Sequence, residues 1–233
     1  MRTLLRCAVI LVAVMTNVSA QTPQKATFLF DGKTLGGWEG DTAGTWRVED
    51  GAIAGGSLSD SVPRNEFLCT TRSYGNFILR LKFKLVGTEG FVNSGVQFRS
   101  QRTAAPPNEM IGYQADLGEG YWGSLYDESR RNRILVQADA KQVKDALRPN
   151  DWNDYEIRAE GPRIRLFLNG RQTVDYTEPD AAIPQSGLIG LQIHGGGKAK
   201  VFFKDIAIEE LRPAGLGLRE PKAKQTNLRP PGS

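Results

Sequence analysis

Phe77-Ile78-Leu79-Arg80-Leu81-Lys82-Phe83-Lys84-Leu85 decides the fold class. Successive side chains of an extended chain point to opposite faces. Leu79, Leu81, Phe83 and Leu85 therefore share one side, and Arg80, Lys82 and Lys84 the other. A helix would scatter these residues around its axis, so the stretch is a strand with one face in a core. Tyr155-Glu156-Ile157-Arg158-Ala159 repeats the alternation, and Gly161-Pro162 turns it into Arg163-Ile164-Arg165-Leu166-Phe167-Leu168. Asn169-Gly170 comes next, a pair suited to the positive φ of a two-residue hairpin, and Thr173-Val174-Asp175-Tyr176 returns from it. Glu49-Asp50-Gly51 marks another hairpin, and Val201 to Ile208 reads as the last strand. With 26 Gly and 12 Pro as punctuation and little helical periodicity, the expectation is an all-β fold, a two-sheet antiparallel sandwich.

The ends read differently from the middle. Arg2 and Arg6, the apolar run Cys7 to Met15 and the small residues Val18-Ser19-Ala20 have the build of a secretory signal. Residues 1–20 are thus expected to be a leader, 21–212 a single domain and 213–233 a basic tail rich in Pro and Gly. Export to a periplasmic or extracellular space follows. At 39% hydrophobic and 24% charged residues the chain is globular. Its formal charge of +4, two units of which leave with Arg2 and Arg6, is too small to argue for a nucleic-acid partner. No later apolar run is long enough to span a bilayer. Cys69, the one cysteine left after the leader, lies between Leu68 and Thr70 and reads as a small buried hydrophobe.

Three strands carry unusual residues on the face turned from the core. Val96-Gln97-Phe98-Arg99 presents Gln97 and Arg99 outward, Tyr113-Gln114-Ala115-Asp116 presents Gln114 and Asp116, and Leu191-Gln192-Ile193-His194 presents Gln192 and His194. Each pair is an amide followed by an ionisable group. If the strands share a sheet, Arg99, Asp116 and His194 emerge together; if not, they are three separate solvated faces. Amides beside a His, an Asp and an Arg suit recognition of sugar hydroxyls. His194, the only histidine, enters Gly195-Gly196-Gly197, where backbone can approach a ligand. The Gly-rich segment Gly118 to Arg131 is also unusual. Tyr121 or Trp122 suits stacking on a sugar ring, while Tyr126, Glu128 and Arg130 supply polar reach. The plain alternative is a loop packed on the sandwich edge, with Asp127-Glu128 and Arg130-Arg131 as surface ion pairs.

Other chemistries find little support. There is no Cys/His cluster for structural zinc, no phosphate-cradling glycine loop before a helix, and no serine in a nucleophile elbow.

The chain resembles the 3-keto-glucoside 1,2-lyase/3-keto-2-hydroxyglucal hydratase family, also called 3-keto-disaccharide hydrolases. The resemblance rests on Phe28 to Trp38, Asn93-Ser94-Gly95-Val96-Gln97-Phe98-Arg99, Gly112-Tyr113-Gln114-Ala115-Asp116, Trp152 to Arg158, Leu168-Asn169-Gly170 and Gly190-Leu191-Gln192-Ile193-His194, in that order. It spans about Ala26 to Leu211. One departure is Gln114, where many relatives carry Glu, so Asp116 is the acidic residue of that strand. The resemblance implies a concanavalin A-like jelly roll with its chemistry on the concave sheet. It also implies cleavage of 3-keto-glucosides by proton abstraction at C2, elimination at C1 and hydration. On that basis His194 or Asp116 is the expected base, and Arg99 and Asn93 the expected partners of the oxyanion. Glu128 or Tyr126 then serves the leaving group, while Gln97, Gln114, Tyr121, Trp122, Arg130 and Gln192 bind substrate. No cofactor is required by the sequence. A divalent metal, held by Asp116, Glu128 and His194, is an option as Lewis acid. A separate oxidoreductase is the expected source of the keto sugar. The alternatives are a non-catalytic sugar-binding module and a conventional glycosidase, although no Glu-x-Asp-x-Glu strand is present.

Overall fold

The computed structural model describes residues 25–106 and 108–211. The expected leader, 1–20, and the basic tail, 213–233, lie outside the described residues. Two antiparallel sheets account for nearly all the regular structure. The back sheet runs β13 (Arg171–Thr177), β12 (Arg163–Leu168), β11 (Asn153–Glu160), β6 (Phe77–Gly90), β15 (Gly197–Glu210), β4 (Ala52–Gly56) and β3 (Trp46–Glu49), with β1 (Thr27–Phe28) paired to β15. The front sheet runs β10 (Arg133–Val136), β9 (Leu125–Glu128), β8 (Met110–Gly118), β7 (Asn93–Arg102), β14 (Leu188–Ile193), β5 (Glu66–Thr70) and β2 (Trp38–Glu39).

The hairpins form where the sequence puts them. Asp50 and Gly51 have φ of 47° and 74°, and Asn169 and Gly170 of 47° and 78°. Glu49 faces Ala52, and Leu168 faces Arg171, across these two-residue turns. Positive φ at both central positions matches the twist of the flanking strands. The one helix among the described residues, α1 (Ala140–Ala146), is capped by the Asp139 side chain, which accepts from the Gln142 N–H. None of its residues is buried, so it has no apolar stripe for a periodicity reading to find.

The core fixes the parity of the front sheet. Phe77, Leu79, Leu81, Phe83 and Leu85 of β6 pack in one cluster with Val96 and Phe98, with Tyr113, Ala115 and Leu117, and with Leu191 and Ile193. Burying each such side chain stabilises by roughly 1.5–3 kcal/mol, and a one-residue slip would turn all of them outward. The alternate residues of β7, β8, β9 and β14 are thereby forced onto the outer face.

The two outer faces differ in kind. On the back sheet Arg80 meets Glu156 at 2.6 Å and Lys82 meets Asp205 at 2.9 Å, partly exposed pairs of the sort that contribute little. On the front sheet Asn93, Gln97, Gln114, Asp116 and Gln192 are all buried. Polar groups removed from water must be held by partners, which makes this face the one with a specific role. Cys69 belongs to a small apolar cluster with Phe67 and Met110. Its thiol lies 3.2 Å from the Met110 sulfur, and burial pushes it up to about 12, so it packs as the sequence suggested and is inert as a nucleophile.

Candidate active site

A hollow of about 160 Å³ opens on the outer face of the front sheet. Asn93, Gln114 and Asp116 form its buried floor, Glu128 and His194 stand half-buried at its sides, and Phe91, Tyr121, Tyr126 and Asn132 complete its edge. The floor follows from pairing. Gly95 of β7 lies opposite Asp116 of β8, and Gln97 opposite Gln114, so the side chains of the two strands meet in rows. Gly95 is bare for a reason: a Cβ there would stand 2.5 Å from Cδ of Gln114, whose amide lies across it.

Asp116 is only 3% exposed. Burial pushes its carboxyl up to about 7, and the negative charge of Glu128 adds to that rise. Three donors pull the other way: Asn93 Nδ2 at 3.0 Å, the Leu117 N–H at 2.9 Å and the Gln114 side chain. Gln114 is itself oriented by a chain of hydrogen bonds. Ser100 Oγ donates to Gln97 Oε1 at 2.6 Å, and Gln97 Nε2 donates to Gln114 Oε1 at 3.1 Å. With its oxygen engaged, Gln114 offers its N–H₂ to Asp116. A glutamate at 114 would bring a second negative charge instead.

Glu128 is pushed up to about 7 as well, by burial and then by the charge of Glu109, against a hydrogen bond from Gln192 Nε2 at 3.4 Å. Both carboxyls thus hold a proton in a good fraction of molecules near neutrality. His194 follows β14, and its backbone N–H donates to Asn93 O at 3.1 Å. Its Nδ1 lies 2.7 Å from the Gly195 carbonyl. A carbonyl oxygen only accepts, so Nδ1 carries the hydrogen, and in the neutral imidazole the lone pair is on Nε2. The arrangement therefore offers one proton acceptor and two proton donors around a space sized for one ring.

Of the residues expected at the site, Asn93, Gln114, Asp116, Tyr121, Tyr126, Glu128 and His194 line the hollow. Gln97 and Gln192 project from the correct face but are completely buried, and they touch Gln114 and Glu128 rather than the space. Three placements need correction. Arg99 points elsewhere: β7 breaks register between Phe98 and Gln101, Arg99 takes φ 49°, and Ser100 occupies the outer face in its stead. The guanidinium donates instead to Gly75 O, Gly161 O and Asn76 Oδ1 at 2.7–3.0 Å. Trp122 stacks on Phe83, ring centres 6.1 Å apart, at the margin of the core. Arg130 lies over the Tyr113 ring at 4.5 Å and pairs with Asp127 at 2.8 Å. That ion pair is not a surface one, because Asp127 is fully buried and also meets Arg131.

Two of the three glycines in the run, Gly195 and Gly197, serve packing, while Gly196 takes φ 91° with open space around it. A Cβ on Gly195 would strike the Arg64 backbone at 2.6 Å, and one on Gly197 would reach Phe91 O at 2.4 Å. Among the described residues no three His, Cys, Asp or Glu side chains gather as metal ligands, so Asp116, Glu128 and His194 do not form the metal site considered from the sequence. Two lining residues escaped sequence reading. Phe91 sits in the turn between β6 and β7, and Asn132, at φ 52°, accepts from the Tyr126 hydroxyl at 3.0 Å. Turn residues have no strand parity, so alternation could not reveal them.

The sequence model of the 3-keto-alpha-glucoside-1,2-lyase-like domain matches residues 25–209. Comparison with curated proteins returns no match. Among solved structures, a glycosyl hydrolase-like protein from Parabacteroides distasonis is 23% identical, with a TM-score of 0.59 over 80% of this chain and 94% of that one. The carbohydrate binding module CBM66 from Bacillus subtilis is 17% identical, with the same TM-score of 0.59 over 79% of this chain and 100% of the module. The laminarinase catalytic domain from Thermotoga maritima is 9% identical, with a TM-score of 0.54 over 82% and 98%. These likenesses identify the fold as a concanavalin A-like jelly roll. The match over most of its length settles the rest: the chain belongs to the 3-keto-alpha-glucoside-1,2-lyase-like family and is a carbohydrate-acting domain.

Proposed function

We propose that the domain cleaves 3-keto-glucosides by elimination and adds water to the product, a lyase and hydratase sequence whose sum is hydrolysis. The observation that carries this reading is the pairing of His194 with the two raised carboxyls. With Nδ1 engaged by the Gly195 carbonyl, the neutral ring of His194 keeps its lone pair on Nε2, and the residue lines a hollow flanked by groups that hold protons near neutral pH.

A ketone at C3 acidifies the hydrogen on C2. Nε2 of His194 takes that hydrogen as a proton, and the bonding pair becomes the enolate across C2, C3 and the ketone oxygen. Asp116 in its protonated form, with the amides of Asn93 and Gln114, supplies donors for this oxygen. Arg99 has no part in it. When the C3 carbonyl re-forms, the pair shifts to make the C1–C2 double bond and the C1–O bond breaks. Glu128 gives its proton to the departing oxygen, releasing the aglycone as an alcohol. Water then adds across the double bond: hydroxyl goes to C1, its proton to the Glu128 carboxylate, and His194, whose N–H exchanges with solvent once the aglycone has left, gives a proton to C2. Both side chains end as they began. In this reading a separate oxidoreductase supplies the keto sugar, and the signal-like composition of residues 1–20 supports a site of action outside the cytoplasm.

Aglycone release from a 3-keto-glucoside in deuterated water tests the proposal. Wild type is expected to release aglycone with deuterium at C2 of the sugar, and His194→Ala to lose about 10²–10⁴-fold in rate. Undiminished turnover by His194→Ala removes the imidazole from the mechanism. Cleavage of unoxidised disaccharides supports a conventional glycosidase, and binding without cleavage a sugar-binding module.

A further inference from the structure

Phe91 is 40% exposed, yet it is firmly built in. Its N–H donates to Gly196 O at 3.1 Å, and the absence of a side chain on Gly197 leaves room for its carbonyl. Its ring meets the His194 ring edge-on at 4.6 Å. Tyr121 stands 6.1 Å away at 86°, and Tyr126 lies 6.4 Å beyond Tyr121 at 74°. The polar floor thus has an aromatic lip of three rings, each set steeply against the next, beginning at the imidazole.

The hollow measures about 160 Å³, whereas pockets that enclose a whole drug-sized ligand start at roughly 300 Å³. It takes one sugar ring, and whatever C1 carries must leave over the lip. A second sugar there would need partners for its several hydroxyls; Phe91 offers none, and the Tyr126 hydroxyl is already given to Asn132, which leaves the Tyr121 hydroxyl as the lip's main polar group. A planar aromatic group needs none, and it continues the edge-to-face order of the lip. We propose that Phe91, with Tyr121, forms an aglycone subsite selecting glucosides whose leaving group is aromatic. The idea rests on the lyase reading for its substrate but on the lip geometry for its selectivity.

The test compares wild type with Phe91→Ala and Phe91→Leu on 3-keto 4-nitrophenyl glucoside and 3-keto methyl glucoside. A loss shared by both substrates reports the missing neighbour of His194. The ratio of the two kcat/KM values reports the subsite. That ratio is expected to fall about tenfold in Phe91→Ala, in line with one lost aromatic pair, and less in Phe91→Leu. An unchanged ratio overturns the proposal. A second arm measures saturation transfer by NMR to unoxidised 4-nitrophenyl glucoside. If wild type turns over neither keto substrate, the lyase reading fails and this arm decides alone. Transfer to the aryl protons that disappears in Phe91→Ala upholds the subsite, and transfer that persists, or is missing in wild type, overturns it.

Discussion

Asn93 Nδ2 stands 3.0 Å from Asp116 Oδ1, and the two residues come from adjacent strands whose register sets Asn93 against Gly118 and Gly95 against Asp116. The hydrogen bond eases the burial of a carboxyl without cancelling it, since Asp116 still sits at about 7. This raised value makes the folded state bind a proton that the unfolded chain gives up near pH 4. Below that pH the group is neutral in both states and costs nothing. Between about 4 and 7 the unfolded chain ionises first, so stability falls as pH rises, and the cost is complete above the folded value. Asp116→Asn removes the titration while its single Oδ1 still accepts from Asn93 and Leu117, at the cost of the hydrogen bond from Gln114. The variant is expected to gain on the order of 2–4 kcal/mol over wild type between pH 5 and pH 8. Urea unfolding at the two pH values measures this; an equal difference at both would mean that Asp116 does not titrate in that range.

Gly95 has no chemistry of its own, yet the floor depends on it. The Gln114 side chain occupies the space a Cβ would need, with Cδ and Cγ at 2.5 and 2.6 Å. Gly95→Ala must therefore push Gln114 aside and loosen its hold on Asp116. Displacements of about 1 Å in a positioned group cost up to about 10²-fold in rate. The expected outcome is a 10–100-fold fall in kcat with thermal stability lowered by a few degrees at most. A drop in melting temperature without a fall in kcat would show that Gln114 is a packing residue only.

Alternation told the truth wherever strands stay regular. It placed Gln97, Gln114, Asp116 and Gln192 on one face because the Val96, Ala115 and Leu191 side chains between them are held in the core, while Asn93 was reached only through the family resemblance. It failed at Arg99, where an irregularity of the ladder shifts the parity by one, and nothing in Phe98-Arg99-Ser100 announces that shift. In the turn residues Glu119–Ser124, before β9, there was no parity to read. Composition alone could not say that Tyr121 would face the hollow while Trp122, its neighbour, would turn to Phe83. The buried ion pair of Asp127 with Arg130 and Arg131 was invisible for another reason: Asp127 shares the buried side of β9 with Leu125, where alternation expects an apolar residue.

Arg99 offers the sharpest contrast between the two kinds of reading. Its guanidinium, in a residue 3% exposed, bridges Gly75 before β6, Gly161 in the β11–β12 turn and Asn76, whose Oδ1 also accepts from the Gly161 N–H. Burial, with no carboxylate among these partners, pulls it down to about 10. Its work is to tie the front sheet to the turns of the back sheet. Arg99→Ala leaves three acceptors without their donor and is expected to cost about 3 kcal/mol in unfolding free energy. Arg99→Lys, a point charge that cannot span all three, should recover part of that loss. The activity of the molecules that remain folded should stay within about twofold of wild type, because electrostatic stabilisation acts only through groups aimed at the reacting atoms. Chemical unfolding together with kcat/KM corrected for the folded fraction separates the roles. A hundredfold fall in kcat/KM at native stability would return Arg99 to the oxyanion and remove the amides and the protonated Asp116 from that task.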